Sequence, residues 1–227
     1  MKISPTLTEV KEIAKTGKYD ILPVSCEILS DFITPIEAMR ILQNVSTHCY
    51  LLESAQANEA WGRYTFLGYD PKLEINCIDG HMKLGKLSVE TENPSEYIRQ
   101  ILSEYKSPKF DYLPSFTGGL VGYFSYDYLG YKEKSIRGKA RDTEDFKDVD
   151  LMLFDKVIAF DNLCQKIILI ANMSLDAPET GYNKAIVELK QLRELLMHGE
   201  KKQNMGGKLL GEVIPLFEKK QYCEMVE

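Results

Sequence analysis

Glu53 and Ser54 close the run Tyr50-Leu-Leu-Glu-Ser54 and set a carboxylate beside a hydroxyl where an apolar strand ends. That pair suits an ammonium group. The acid supplies charge, and the hydroxyl and a strand-end carbonyl supply directed acceptors. The same pair is also a common way for a strand to leave its sheet. Arg63 enters the apolar run Gly62-Arg-Tyr-Thr-Phe-Leu-Gly68. A guanidinium there calls for a carboxylate, in the simplest case as a structural ion pair. A third segment, Phe116-Thr-Gly-Gly-Leu-Val-Gly-Tyr-Phe-Ser-Tyr-Asp127, mixes glycines with aromatics. Such glycines let backbones approach closely, in a strand pair or around a ligand. No Gly-Lys-Ser/Thr follows them and the spacing fails the dinucleotide fingerprint, so close strand packing is the preferred reading.

Other chemistries find no footing. The three histidines, His48, His81 and His198, join no His-Glu-x-x-His run and no Cys/His cluster, and read as surface or structurally satisfied groups. The five cysteines, at 26, 49, 77, 164 and 223, form no Cys-x-x-Cys pair. A zinc site and a disulfide framework are both disfavoured. Cys77 and Cys164 lie in strand-like runs and read as small buried side chains. Trp61 reads as a packing residue or loop anchor. No Gly-x-Ser-x-Gly and no phosphate-binding loop occurs, and no complete catalytic constellation is found.

The chain has 227 residues, 44% of them hydrophobic, with a formal charge of −6. It can bury a substantial core. Its basic residues are scattered, which argues against a nucleic-acid partner. The first residues, Met1-Lys-Ile-Ser-Pro, lack the apolar core of a signal peptide. No apolar stretch approaches the ~18–20 residues of a membrane span. The expectation is a soluble protein of a reducing cytoplasm, with no membrane partner.

The elements that must position these groups are legible by pattern. Leu7–Lys15 reads as an amphipathic helix and Ile21–Leu29 as a strand. Thr34-Pro-Ile-Glu37 carries a capping hydroxyl, a first-turn proline and a capping-box acid, ahead of apolar Ala38, Ile41 and Leu42. Cys49–Leu52, Tyr64–Tyr69 and Leu73–Ile78 read as strands. Asp79-Gly80 is a hairpin signal returning as His81–Leu84. Asn93-Pro-Ser-Glu96 repeats the cap logic before a helix. Residues 120–125 and 151–160 read as strands, and the latter turns at Asp161-Asn162 into a strand over 166–171. Residues 182–198 give the clearest helix. Residues 132–149 read as an exposed excursion, 199–211 as a mobile linker, and 215–227 as the opening of another helix. No βαβ rhythm appears, so the expected class is α+β, with mostly antiparallel, sandwich-like sheets flanked by helices.

In order and wording, the three opening segments resemble the N-terminal region of anthranilate synthase component I, a chorismate-using enzyme family. The resemblance extends along essentially the whole chain, most tightly at 50–70 and 114–127. It implies a parent that converts chorismate and ammonia to anthranilate and pyruvate, with ammonia supplied by a glutamine amidotransferase subunit. It implies that Leu52, Glu53 and Ser54, with Pro35 at the head of the preceding helix, line a tryptophan feedback site. It implies domains at 1–198 (regulatory and scaffolding), 199–214 (linker) and 215–227 (the start of a chorismate-binding domain). The magnesium ligands, the catalytic residues and the substrate contacts are expected outside this chain, which alone is expected to be inactive. Aminodeoxychorismate synthase component I shares parts of the glycine-rich segment, although the intact Leu-Leu-Glu-Ser favours the anthranilate enzyme. A stand-alone amino-acid-binding module is the remaining alternative.

Overall fold

The computed structural model describes residues 1–53, 62–133, 135, 145–203 and 206–227. In chain order its elements are β1 (Ile3–Ser4), α1 (Leu7–Lys15), β2 (Ile21–Leu29), α2 (Pro35–Val45), β3 (Cys49–Leu52), β4 (Tyr64–Tyr69) and β5 (Leu73–Ile78). Then come β6 (His81–Leu84), β7 (Leu87–Glu90), α3 (Pro94–Ser103), β8 (Gly119–Phe124) and a 3-10 helix (Tyr126–Tyr131). The chain continues through β9 (Val149–Phe154), β10 (Lys156–Asp161), β11 (Lys166–Ser174), α4 (Pro178–His198) and α5 (Lys219–Val226). The strands form two antiparallel sheets, six-stranded in the order β1-β2-β11-β10-β4-β3 and five-stranded in the order β7-β6-β5-β9-β8. The class is α+β, as the sequence pattern implied.

Local signals explain most boundaries. Thr6 with Glu9, and Thr34 with Glu37, form capping boxes, and Pro35 occupies the first turn of α2. These boxes satisfy backbone donors that a helix start leaves unpaired. The central strands of the larger sheet are apolar on both faces because both faces are covered. Leu67, Ile158, Phe160, Ile167 and Leu169 pack under α1, α2 and α4, while Val157, Ala159, Ile168 and Ile170 meet Leu113 and Phe116 on the other side. The smaller sheet has one apolar face, where Ile98 of α3 packs on Ile75, Cys77, Met82, Val149 and Leu151. Residues 200–202 run back along α2, with Arg40 Nε donating to the Lys202 carbonyl at 2.9 Å and the Asn44 amide to the Glu200 carbonyl at 2.6 Å.

The structure departs from the pattern reading at several points. Residues 151–160 are not one strand. β9 ends at Phe154 in the smaller sheet, and β10 begins at Lys156 in the larger one. The carbonyl of Asp155, between them, accepts from the backbone N–H of Asn172 at 2.8 Å and from its side-chain amide at 3.0 Å. The ladder partners therefore change at Asp155-Lys156, the charged pair between two apolar stretches. Asn93 makes no side-chain cap; its amide binds Glu96 instead. Cys77 is buried, but Cys164 is exposed in the turn between β10 and β11. The strand expected over 166–171 runs on to Ser174, and β1, β7 and the 3-10 helix carried no clear signal. Most of the expected excursion over 132–149 lies outside the described residues.

The glycine segment does pack strands. A Cβ on Gly122, at φ +151°, would lie 2.0 Å from the Asp150 carbonyl oxygen of the neighbouring β9. Gly118, at φ +145°, leaves room for the Asn172 amide. Each histidine faces a surface carboxylate: His48 Glu74 at 3.1 Å, His81 Glu90 at 3.4 Å, and His198 Glu194 at 3.5 Å.

Candidate functional site

One end of the larger sheet gathers the residues that the sequence marks for chemistry. The registers Leu29 with Lys166, Lys166 with Asp161, Asp161 with Tyr64, and Phe66 with Leu52 bring the end of β2, the β10–β11 turn, the start of β4 and the end of β3 to one edge. α2 leads directly into β3 and packs on β3 and β4. Its first residue, Pro35, therefore returns to the same end.

Of the four residues expected to bind an effector, the structure places three. Leu52 closes β3 and is 48% exposed. Glu53 follows it, exposed, and makes no ion pair among the described residues. Pro35 is half-buried at the head of α2. Ser54 lies outside the described residues, as does Trp61. The three do not share one wall. Leu51 packs in the helix-side core, whereas the Tyr50 ring meets Phe116 and Phe154 on the opposite face. Strand alternation then points Leu52 away from α2. Pro35 and Leu52 border the sheet end from opposite faces, with Glu53 beyond the ladder.

The strongest electrostatic feature of this end is Arg63. Its Nε and Nη2 donate to the two carboxylate oxygens of Asp161 at 3.1 and 2.7 Å. The Asp161 side chain is fully buried, and that of Arg63 is 35% exposed. Burial pushes the Asp161 carboxyl up, but the guanidinium and the Cys164 amide outweigh it and hold it at about 2. The hydrogen bond to Asp161 in turn raises the Arg63 guanidinium. Asp161 also accepts from the Leu163 and Cys164 backbone at 3.2 and 3.1 Å, which organises the turn. Asn162 completes the grip. Its N–H donates to the Arg63 carbonyl at 2.9 Å, and its amide to Thr65 Oγ1 at 3.3 Å. The expected carboxylate partner of Arg63 is thus found. Its identity was hidden because Asp161 reads locally only as a hairpin turn.

Beside this grip lies an open groove of about 550 Å³, lined by Leu29, Ser30, Asp31, Asn162, Cys164 and Gln165. Among the described residues no group of three or more His, Cys, Asp or Glu side chains stands together to hold a metal ion. Among the same residues no helix is long and apolar enough to cross a membrane.

Comparison with known proteins gives a family match, similar sequences and a solved structure. The family described as chorismate binding enzyme matches residues 47–227. Anthranilate synthase component 1 of Acetivibrio thermocellus is 34% identical over 198 residues, covering 85% of this chain and 39% of that protein. The Pseudomonas aeruginosa protein of the same name is 36% identical over 196 residues, covering 83% of this chain and 39% of that protein. A crystal structure of anthranilate synthase component I from Streptococcus pneumoniae TIGR4 aligns with a TM-score of 0.48 and 25% identity, over 73% of this chain and 36% of that one. The chain spans about two fifths of the length of the relatives it matches.

Proposed function

The chain belongs to the chorismate binding enzyme family, and from that premise we propose that it is the N-terminal portion of an anthranilate synthase component I. The observation that carries this reading is the identity to proteins of that name along more than four fifths of the chain. The whole enzyme joins chorismate and ammonia to give anthranilate and pyruvate, a step of tryptophan biosynthesis. A glutamine amidotransferase subunit supplies the ammonia. Magnesium and the reacting atoms are held by residues other than these.

The part assigned to this chain is scaffolding and feedback control. L-tryptophan docks at the end of the larger sheet, against Leu52, Glu53, Ser54 and Pro35. The Glu53 carboxylate, exposed past the end of β3, takes the ammonium group. Leu52 and Pro35 offer apolar surface on either side of the sheet end, so the ligand lies across that end instead of on one face. Ser54 adds a hydroxyl. The test is Ser54→Phe in the full-length protein. Losing a hydrogen bond to a charged ligand costs about 1.5–3 kcal/mol, so half-inhibition should need roughly ten to a hundred times more tryptophan. An unchanged inhibition curve would remove Ser54 from the site.

A further inference from the structure

β3 has four residues and, among the described residues, no neighbour beyond it in the sheet. A strand that short at an edge cannot fix its own place; it depends on the strand it pairs with. That strand is β4, whose rung Phe66 with Leu52 is the last before Glu53. The start of β4 is fastened from the other side, by the β10–β11 turn. Arg63 and Asp161 form a two-armed ion pair, Asn162 N–H binds the Arg63 carbonyl, and the Asn162 amide reaches the fully buried Thr65.

We propose that the Arg63–Asp161 ion pair is the positioning device for Glu53: it sets the start of β4, and through the β3–β4 ladder it sets where the Glu53 carboxylate meets an effector's ammonium group. Arg63 and Asp161 touch no ligand in this scheme. The inference rests on the reading of Glu53 as an ammonium-binding group. β4 and β10, which Arg63 and Asp161 join at one end, are joined at the other by a second ion pair, Lys156 with Asp70 at 2.8 Å. That pair lies at the far end of β4 from Glu53, so it serves as an internal control.

The experiment measures the L-tryptophan concentration giving half-inhibition of anthranilate formation by the full-length protein. The variants are Glu53→Gln, Asp161→Asn, Arg63→Lys and Asp70→Asn. Glu53→Gln and Asp161→Asn are each expected to raise that concentration about tenfold or more. Arg63→Lys, which keeps the charge but loses the fork, is expected to raise it less. Asp70→Asn should stay within about twofold of wild type. In Asp161→Asn, Arg63→Lys and Asp70→Asn, kcat and KM for chorismate should also hold within about twofold, a split that general loosening of the fold would not produce. If Glu53→Gln weakens inhibition while Asp161→Asn behaves like Asp70→Asn, the positioning role is overturned and the effector site stands. If Glu53→Gln changes nothing, the effector site itself is overturned and the positioning role falls with it. Should Asp161→Asn fail to fold, Arg63→Lys decides: inhibition equal to wild type overturns the inference.

Discussion

The two sheets solve the same problem with different means. The larger is buried on both faces, with helices on one side and the 110–116 segment on the other. Its middle strands can be apolar at every position, and β11 carries Ile167, Ile168, Leu169, Ile170 and Ala171 in succession, all buried. The smaller sheet buries one face, ends in the open strands β7 and β8, and leaves Tyr123, Phe124 and Leu87 exposed. Even their turns are fastened differently. The β10–β11 turn is gripped by an ion pair, Arg63 with Asp161. The β5–β6 turn is held by a phenol: Tyr131 donates to Asp148 at 2.7 Å and accepts from Gly80 N–H at 2.7 Å, while Asp79 N–H donates to Asp148 at 2.8 Å. The candidate site sits at the end of the sheet with the deeper burial. Rigid support of that kind is what holding one carboxylate in place requires.

The difference in burial is the first thing to break. Leu169→Ala, at a fully buried position of β11, should cost about 2–5 kcal/mol of folding stability. The same truncation at half-buried Leu84 of β6 should cost under about 1.5 kcal/mol, because less apolar area leaves water there. Denaturant unfolding of both variants compares the two sheets directly. Equal losses would mean that the smaller sheet is as deeply packed as the larger.

The turns give the next contrast. Asp161→Asn breaks a pair whose carboxylate is fully buried and should cost about 3 kcal/mol near neutrality. Tyr131→Phe removes a hydrogen bond to the Asp148 carboxylate and one from Gly80 N–H, but leaves no fully buried charge without its ion partner, and should cost less, about 1.5–2 kcal/mol. The Asp161 loss carries a pH signature. The folded value of about 2 lies below the ordinary carboxylate value of roughly 3.9, so the stabilisation is fully present above that value. It is lost as pH falls from about 4 through 2. The stability gap between wild type and Asp161→Asn should therefore narrow across that window. A gap that stays constant with pH would contradict the ion-pair account.

These cases also show what a linear reading can reach. The capping boxes at Thr6 and Thr34, the Asp79-Gly80 turn and the Glu53 strand exit are local, and their residue types announce them. The break at Asp155 escaped the pattern reading although Asp155-Lys156 interrupts the apolar residues there, because apolar residues resume at once and both flanks read as strand. What separates them is Asn172, a side chain from β11. Arg63 in a strand entry foretold a carboxylate, but the partner comes from a turn 98 residues away in sequence. The opposite-face placement of Pro35 and Leu52 likewise needed the register of β3 on β4.

The smallest expected effect concerns Tyr50, whose hydroxyl is buried without a hydrogen-bond partner among the described residues. Its ring is well used, edge-on to Phe154 at 4.7 Å and filling the space left by Gly68. Tyr50→Phe should keep those contacts and remove an unsatisfied polar group. Stability should hold or rise by about 1 kcal/mol. A clear loss in thermal unfolding would show that the hydroxyl is satisfied.

The central claim is that this chain is the regulatory front of an anthranilate-forming enzyme. It is tested most directly by anthranilate fluorescence, with chorismate, magnesium and ammonia supplied to the full-length protein and, separately, to residues 1–227 alone. The account predicts anthranilate from the full-length protein, suppressed as L-tryptophan is titrated in, and none from residues 1–227. Formation of 4-amino-4-deoxychorismate in its place, anthranilate formation indifferent to tryptophan, or turnover by residues 1–227 alone would contradict it.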